Sequence, residues 1–236
     1  ETGEHITSAF VRLIGSALET FPVFSQPTHF DIGEARIISL DLDEVAKGGG
    51  DMGKRVTSVM YMLARQVTAK KFYLNKETVG EIPGPSDIKL SDDTPVKKYK
   101  EHHLEVIRKL LDEPKRICYD EFHRTAGVQA VRDQIVLDMR EGRKWKIDIM
   151  LSSQLIEDFD DRMMEVQTGL FVMDKATPQT IKSMSEKFGF STQAEKNALT
   201  YQVHAPRAGG GTFLVKFQTN FGTFTMLASA TLGPIE

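Results

Sequence analysis

Two adjacent carboxylates, Asp120 and Glu121, close a short strand-like run, Lys115 to Tyr119, and a glutamine, Gln154, follows a second run, Ile147 to Leu151. These residue types suit phosphoryl transfer to water. An Asp offers the hard oxygen that hydrated Mg2+ prefers, and a neighbouring Glu can polarise an attacking water. A neutral tip such as Ser152-Ser153-Gln154 can sense a γ-phosphate. ATP and Mg2+ are the cofactors such a set expects, with Asp120 reaching the metal through water and Glu121 and Gln154 acting in catalysis.

Such groups must be held by rigid elements. Between the two runs, Val128, Val131, Ile135 and Met139 repeat at helical spacing, and the pattern closes near Gly142. A strand, a helix and a second strand imply a crossover. The expectation is therefore a mainly parallel sheet flanked by helices, with ligands at the carboxyl ends of its strands. Asp120, Glu121 and Gln154 all fall on that edge. Elsewhere the pattern predicts a helix over Ile6 to Leu18 and a strand over Ala35 to Leu42. It predicts a helix that buries Val56, Val59, Leu63 and Val67, and another with Leu104, Ile107 and Leu111 inward that stops at Pro114. Residues 81–95, with three prolines, read as an exposed loop or insertion. Gly169 to Met173 reads as a short strand. Two helices follow, Pro178 to Phe188, capped by Gly189, and Thr192 to Leu199, opened by a Thr192/Glu195 capping box. Thr212 to Gln218 and Gly222 to Ala230 read as a β-hairpin turning near Asn220, with Phe213 and Phe217 covering the core.

Other candidates carry plainer alternatives. Gly48 to Lys54 has a G-x-x-x-x-G-K core, but Arg55 replaces the hydroxyl that would meet Mg2+, and Asp51 would repel phosphate. A plain flexible loop is the expectation there. Arg140, Arg143, Lys144 and Lys146 suit a solvated helix end whose cations favour the C-terminal dipole. The functional alternative is an arginine, Arg143 first, supplied across a subunit boundary to a neighbour's nucleotide, with Lys144 beside it. Arg124, just past Glu121, is a second candidate for that nucleotide-contacting arginine. The histidines show no metal-ligand spacing. Cys118 and Trp145 read as packing residues.

The chain has 236 residues, enough for a sizeable core. A net charge of -3 argues against nucleic acid as a partner. No apolar run nears the roughly 20 residues of a membrane span. One cysteine excludes an internal disulfide and fits a reducing, cytosolic compartment. The opening residue is Glu1 rather than Met, so a trimmed fragment without its N-terminal phosphate loop is expected.

From Phe30 onward the sequence resembles the ATPases that power type IV secretion and conjugation, most closely their IcmB (DotO) branch. The resemblance is carried by Phe30-Asp31, by Ala35-Arg-Ile-Ile-Ser-Leu-Asp-Leu-Asp-Glu44 and by Met60-Tyr-Met-Leu-Ala-Arg65. It continues through Asp120-Glu-Phe-His-Arg124, Arg140-Glu-Gly-Arg-Lys144, Ser152-Ser-Gln154 and Thr231-Leu-Gly-Pro234. It implies a RecA-like P-loop NTPase fold, with residues 1–236 as a partial ATPase domain and 212–230 as its terminal β-hairpin. It aligns Asp120 and Glu121 with the family's Walker B pair and Gln154 with its sensor glutamine. Arg143-Lys144 aligns with a basic motif near the subunit boundary, and the phosphate loop falls upstream of Phe30. The implied whole protein is a ring, expected as a hexamer, in the cytoplasm. It would be peripheral to the bacterial inner membrane, where other secretion-system subunits are its partners. A DNA-translocating coupling ATPase and a non-catalytic docking module on the same fold remain the alternatives.

Overall fold

The computed structural model describes residues 5–20, 35–42, 50–74, 94–207 and 209–231. The chain divides into two compact units, Glu1–Leu40 and Asp41–Glu236. In the first, helix α1 spans Ile6–Thr20. Its apolar residues recur at helical spacing, yet Ile6, Phe10 and Leu13 are exposed. The strand expected over Ala35 to Leu42 does not form. A strand needs a neighbour for its N–H and C=O groups, and no described strand pairs with this run. Ile37 is 91% exposed.

The second unit opens with α2 (Gly50–Ala69), which tightens into a 3-10 turn at Lys70–Tyr73. Most of the loop expected over 81–95 lies outside the described residues; its last two, Thr94 and Pro95, begin α3 (Thr94–Asp112). Pro114 separates α3 from β1 (Lys115–Tyr119), and α4 (Gln129–Trp145) crosses over to β2 (Ile147–Leu151). The strands pair in parallel, Lys115 opposite Ile147 through Tyr119 opposite Leu151. Alternate residues of β1 turn inward, where Tyr119, Ile149 and Leu151 pack on Val131, Ile135 and Phe122. The opposite face carries an exposed Arg116–Asp148 pair at 2.7 Å. Cys118 is exposed there too, and so is not the core residue expected. The reason is that the described helices cover only one face of this strand pair.

Helix α2 is turned relative to the sequence expectation. Gly53, Thr57 and Tyr61 are buried, while Val59 and Val67 are exposed. Two specific contacts settle that rotation: Tyr61 stacks on Tyr119 with ring centroids 6.4 Å apart, and Arg65 pairs with Asp138 of α4. Leu104 of α3, expected inward, is likewise exposed.

After a single turn, α5 (Asp161–Met164), the chain builds a second layer. Strands β3 (Gly169–Val172), β4 (His204–Arg207), β5 (Gly210–Thr219) and β6 (Gly222–Ala230) form an antiparallel sheet. Strand β5 is its centre, with β6 along one edge and β3 and β4 end to end along the other. Helices α6 (Pro178–Phe188) and α7 (Gln193–Asn197) sit between β3 and β4 in sequence. Thr177 caps α6, Gly189 ends it in the left-handed conformation, and Thr192 and Glu195 form the expected capping box. Leu214, Val172, Phe190 and Leu199 make the core of this layer. The hairpin turns at Asn220-Phe221. Phe213 and Phe217 alternate with Leu214 and therefore face away from that core, contrary to expectation; they contact Phe171 instead. The whole is a mixed α/β fold, but only β1 and β2 among the described strands are parallel. The expected mainly parallel sheet is reduced to that pair, because β3, β4 and β6 all run antiparallel to β5.

Candidate functional site

The parallel register ends with Tyr119 and Leu151 side by side, so the residues that follow emerge at one edge. The ladder persists one step further: Ser152 N–H donates to Tyr119 O at 2.9 Å, and Phe122 N–H donates to Ser152 O at 2.8 Å. Between those bonds the chain must turn sharply. Glu121 does so with φ 49°, ψ 47°, one of two non-glycine residues with positive φ among the described residues. Such a conformation costs a side chain roughly 1–2 kcal/mol and clusters at functional positions. Asp120 Oδ1 accepts the Glu121 N–H at 3.0 Å and steadies the turn.

Across this edge Gln154 Nε2 faces the Glu121 carboxylate, 3.5 Å from Oε1 and 3.4 Å from Oε2. These distances are longer than an ordinary N–H···O bond, so the pair is in register without being locked. His123 Nδ1 lies 3.1 Å from Glu121 Oε2 without hydrogen-bond alignment. Sequence reasoning set the histidines aside; His123 is at the edge only because the 3-10 turn Phe122–Thr125 folds it back. That turn also carries Arg124, whose N–H donates to Glu121 O at 2.9 Å.

Lys54 reaches the same neighbourhood. A Cβ built on Gly127, just before α4, would meet Lys54 Cε at 3.1 Å. The stretch expected to be a flexible loop is a helix from Gly50 onward, with Gly53 and Lys54 in its first turns. Among the described residues no group of His, Cys, Asp and Glu has metal-holding geometry. Asp120, exposed at the tip of β1, fits an outer-sphere role toward a hydrated cation, which needs no cage of protein ligands.

Arg143 and Lys144 lie elsewhere. Both are exposed in the last turn of α4, whose C-cap Lys146 accepts the N–H of Lys115 at the start of β1. That is the opposite edge of the strand pair, about 16 Å away for five residues at 3.3 Å each. Lys144 Nζ rests 4.7 Å from the centroid of the Trp145 ring. No protein-family model matches the chain, and no curated protein matches it. The edge itself combines carboxylates, an amide and an imidazole around a strained turn, a set able to orient and deprotonate water. No described helix is long and apolar enough to cross a membrane.

Proposed function

We propose that the chain is the later part of a RecA-like ATPase motor of the type IV secretion and conjugation kind, coupling ATP hydrolysis to transport or assembly. The observation that carries this reading is Gln154 facing Glu121 across two parallel strand tips, with a crossover helix between them. In this reading Glu121 orients and deprotonates the attacking water. Gln154 contacts the γ-phosphate as charge shifts, and Asp120 holds Mg2+ through its water shell. The metal would neutralise charge on the phosphate oxygens. Arg124, on the turn that follows Glu121, would be a further nucleotide contact. Arg143 and Lys144, at the far edge, can serve only a neighbour's nucleotide, which calls for a ring, expected as a hexamer. Its cytoplasmic position at the bacterial inner membrane, docked on other secretion subunits, belongs to the same proposal.

Glu121→Gln in the complete protein tests it. Turnover of ATP should fall at least about a hundredfold, the scale of a lost general base, with nucleotide binding kept. Unchanged turnover and transport would instead favour a docking module that keeps the fold as scaffold. A DNA-pumping role would show as salt-sensitive binding to duplex DNA.

A further inference from the structure

The Gln154 turn is held by something other than its strand. The last ladder bonds of β2 are those of Ser152. Beyond them the first tie is a side chain: Ser153 Oγ donates to Asp158 Oδ2. Asp158 is buried, and an Arg132 Nη2–H donates to its main-chain oxygen. The Arg132 guanidinium also lies 5.1 Å from the centroid of the Phe122 ring. Phe122 in turn stacks on Phe159, at 5.9 Å and 13° between planes. From the second layer, Lys187 Nζ of α6 donates to Ile156 O at 3.3 Å and Phe159 O at 3.2 Å. The immediate neighbour of Glu121, which is Phe122, and the immediate neighbour of Gln154, which is Ser153, therefore converge on one two-residue unit, Asp158-Phe159.

We infer that Asp158, through Ser153 and with Arg132, is a positioning residue that sets the aim of Gln154 at Glu121. A buried carboxylate keeps its place only when its hydrogen bonds are made, so the geometry of Ser153 is fixed by a group that does not itself reach the edge. Three residues separate Gln154 from Asp158, and without the brace that connection is a loop free to swing its amide away from the carboxylate. Small misplacements of an aligned group have large effects on rate. Lys187 ties the same loop to the antiparallel layer, so movements of that layer reach Gln154 along this path.

The catalytic part of this inference rests on the ATPase reading, while the structural part does not, and the test separates them. Hydrogen exchange on the chain itself is measured for Ser153→Ala, Asp158→Asn and Lys187→Met. The first two should speed exchange at the amides of Gln154, Leu155 and Ile156 by about tenfold, with β1, β2 and β5 little changed. Lys187 is exposed, so Lys187→Met leaves the fold intact and should loosen Ile156 to Phe159 alone. In the complete enzyme, Ser153→Ala should lower kcat about tenfold with KM for ATP nearly kept, and Ser153→Thr, which restores the hydroxyl, should recover most of it. Unchanged exchange in Ser153→Ala overturns the brace. Wild-type kcat in Ser153→Ala and Asp158→Asn, where Glu121→Gln abolishes turnover, overturns the positioning role. If Glu121→Gln leaves turnover intact while the exchange responds as described, the ATPase reading fails and the brace stands.

Discussion

Arg65 and Asp138 meet as a two-point pair: Nε donates to Oδ2 and Nη2 to Oδ1, both at 2.6 Å. Asp138 is 3% exposed, and Gln134 Nε2 adds a third donor at 3.0 Å. The pair locks α2 onto α4, and α4 leads from the Asp120-Glu121 turn to β2. Replacing Asp138 with Ala strands a partly buried guanidinium and should destabilise the chain by about 3 kcal/mol. Removing both charges in Arg65→Met/Asp138→Leu should cost less than Asp138→Ala alone. Denaturant melts of the two variants beside the parent chain check the order, and a double variant weaker than the single one contradicts it.

The same pair explains why sequence periodicity placed the buried face of α2 wrongly. Val59 and Val67 are apolar and sit at helical spacing, but a helix turns toward its strongest specific contacts as well as its apolar residues. Tyr61 and Arg65 outweigh them here. Strands β1 and β2, the crossover helix, the hairpin and the Thr192/Glu195 cap were legible because each is written in local signals: alternation, spacing, Pro and Gly stops, a capping pattern. So were the two tips of the site, since the residues following paired strands must share an edge. The brace behind Gln154 was not legible. Arg132 and Lys187 reach the loop from helices far away in sequence, and no spacing rule connects them to it. Nor could spacing say that Cys118 lies on an open face, which depends on what covers the sheet.

Tyr73 and Tyr119 should titrate late. Burial pushes the Tyr73 phenol up to about 12, helped by the Asp138 charge and opposed by Arg65, and burial raises Tyr119 as well. A phenol whose folded pKa exceeds its unfolded value, near 10, contributes stability below pH 10 that is lost as pH rises through the folded value. The ultraviolet titration of tyrosinate should therefore show a delayed component, reduced in Tyr73→Phe and Tyr119→Phe. Stability should fall through the same alkaline window. A single ordinary transition would contradict the partial burial of both rings.

Glu195 works at two places. Its Oε2 accepts the N–H groups of Ser191 and Thr192 at 3.0 and 2.9 Å, and its Oε1 accepts the Thr225 hydroxyl of β6 at 2.7 Å. Burial raises its pKa, but the hydrogen bonds from Thr192 and Thr225 outweigh that and hold it below the usual value. Its contribution is present above the unfolded pKa and disappears as pH falls through the lowered folded one. Glu195→Ala should cost about 1 kcal/mol, as a lost cap does, and should flatten the acid side of the stability curve. An unaltered acid limb would show that the carboxylate is not coupled to folding.

Arg143 should act only between subunits, because it sits at the edge of the strand pair opposite Glu121. Arg143→Ala subunits and Glu121→Gln subunits of the complete protein should each be nearly inactive alone. Such arginines contribute on the order of 10³–10⁵ in rate. Mixed rings should recover part of the activity, since some boundaries then pair an intact Glu121 with an intact Arg143. Absence of recovery at every mixing ratio, with assembly demonstrated, counts against the assignment.

Gly142 and Gly15 should answer the same substitution with opposite signs. Both lie inside helices, where Ala is favoured over Gly by about 1 kcal/mol. A Cβ added to Gly15 of α1 would meet nothing within 4 Å, so Gly15→Ala should gain close to that amount of helix stability. A Cβ at Gly142 would stand 2.7 Å from the carbonyl oxygen of Ile147, the first residue of β2. That oxygen belongs to backbone held in the parallel ladder and cannot step aside as a side-chain end could. Overpacking of this kind costs typically about 1–3 kcal/mol, which exceeds the propensity gain, so Gly142→Ala should be destabilising on balance. It should also pry β2 from α4 and loosen the Gln154 edge. Hydrogen exchange of α1 in one variant and of β2 in the other reads both effects, and a stabilised Gly142→Ala would mean that helix and strand part more easily than their close approach implies.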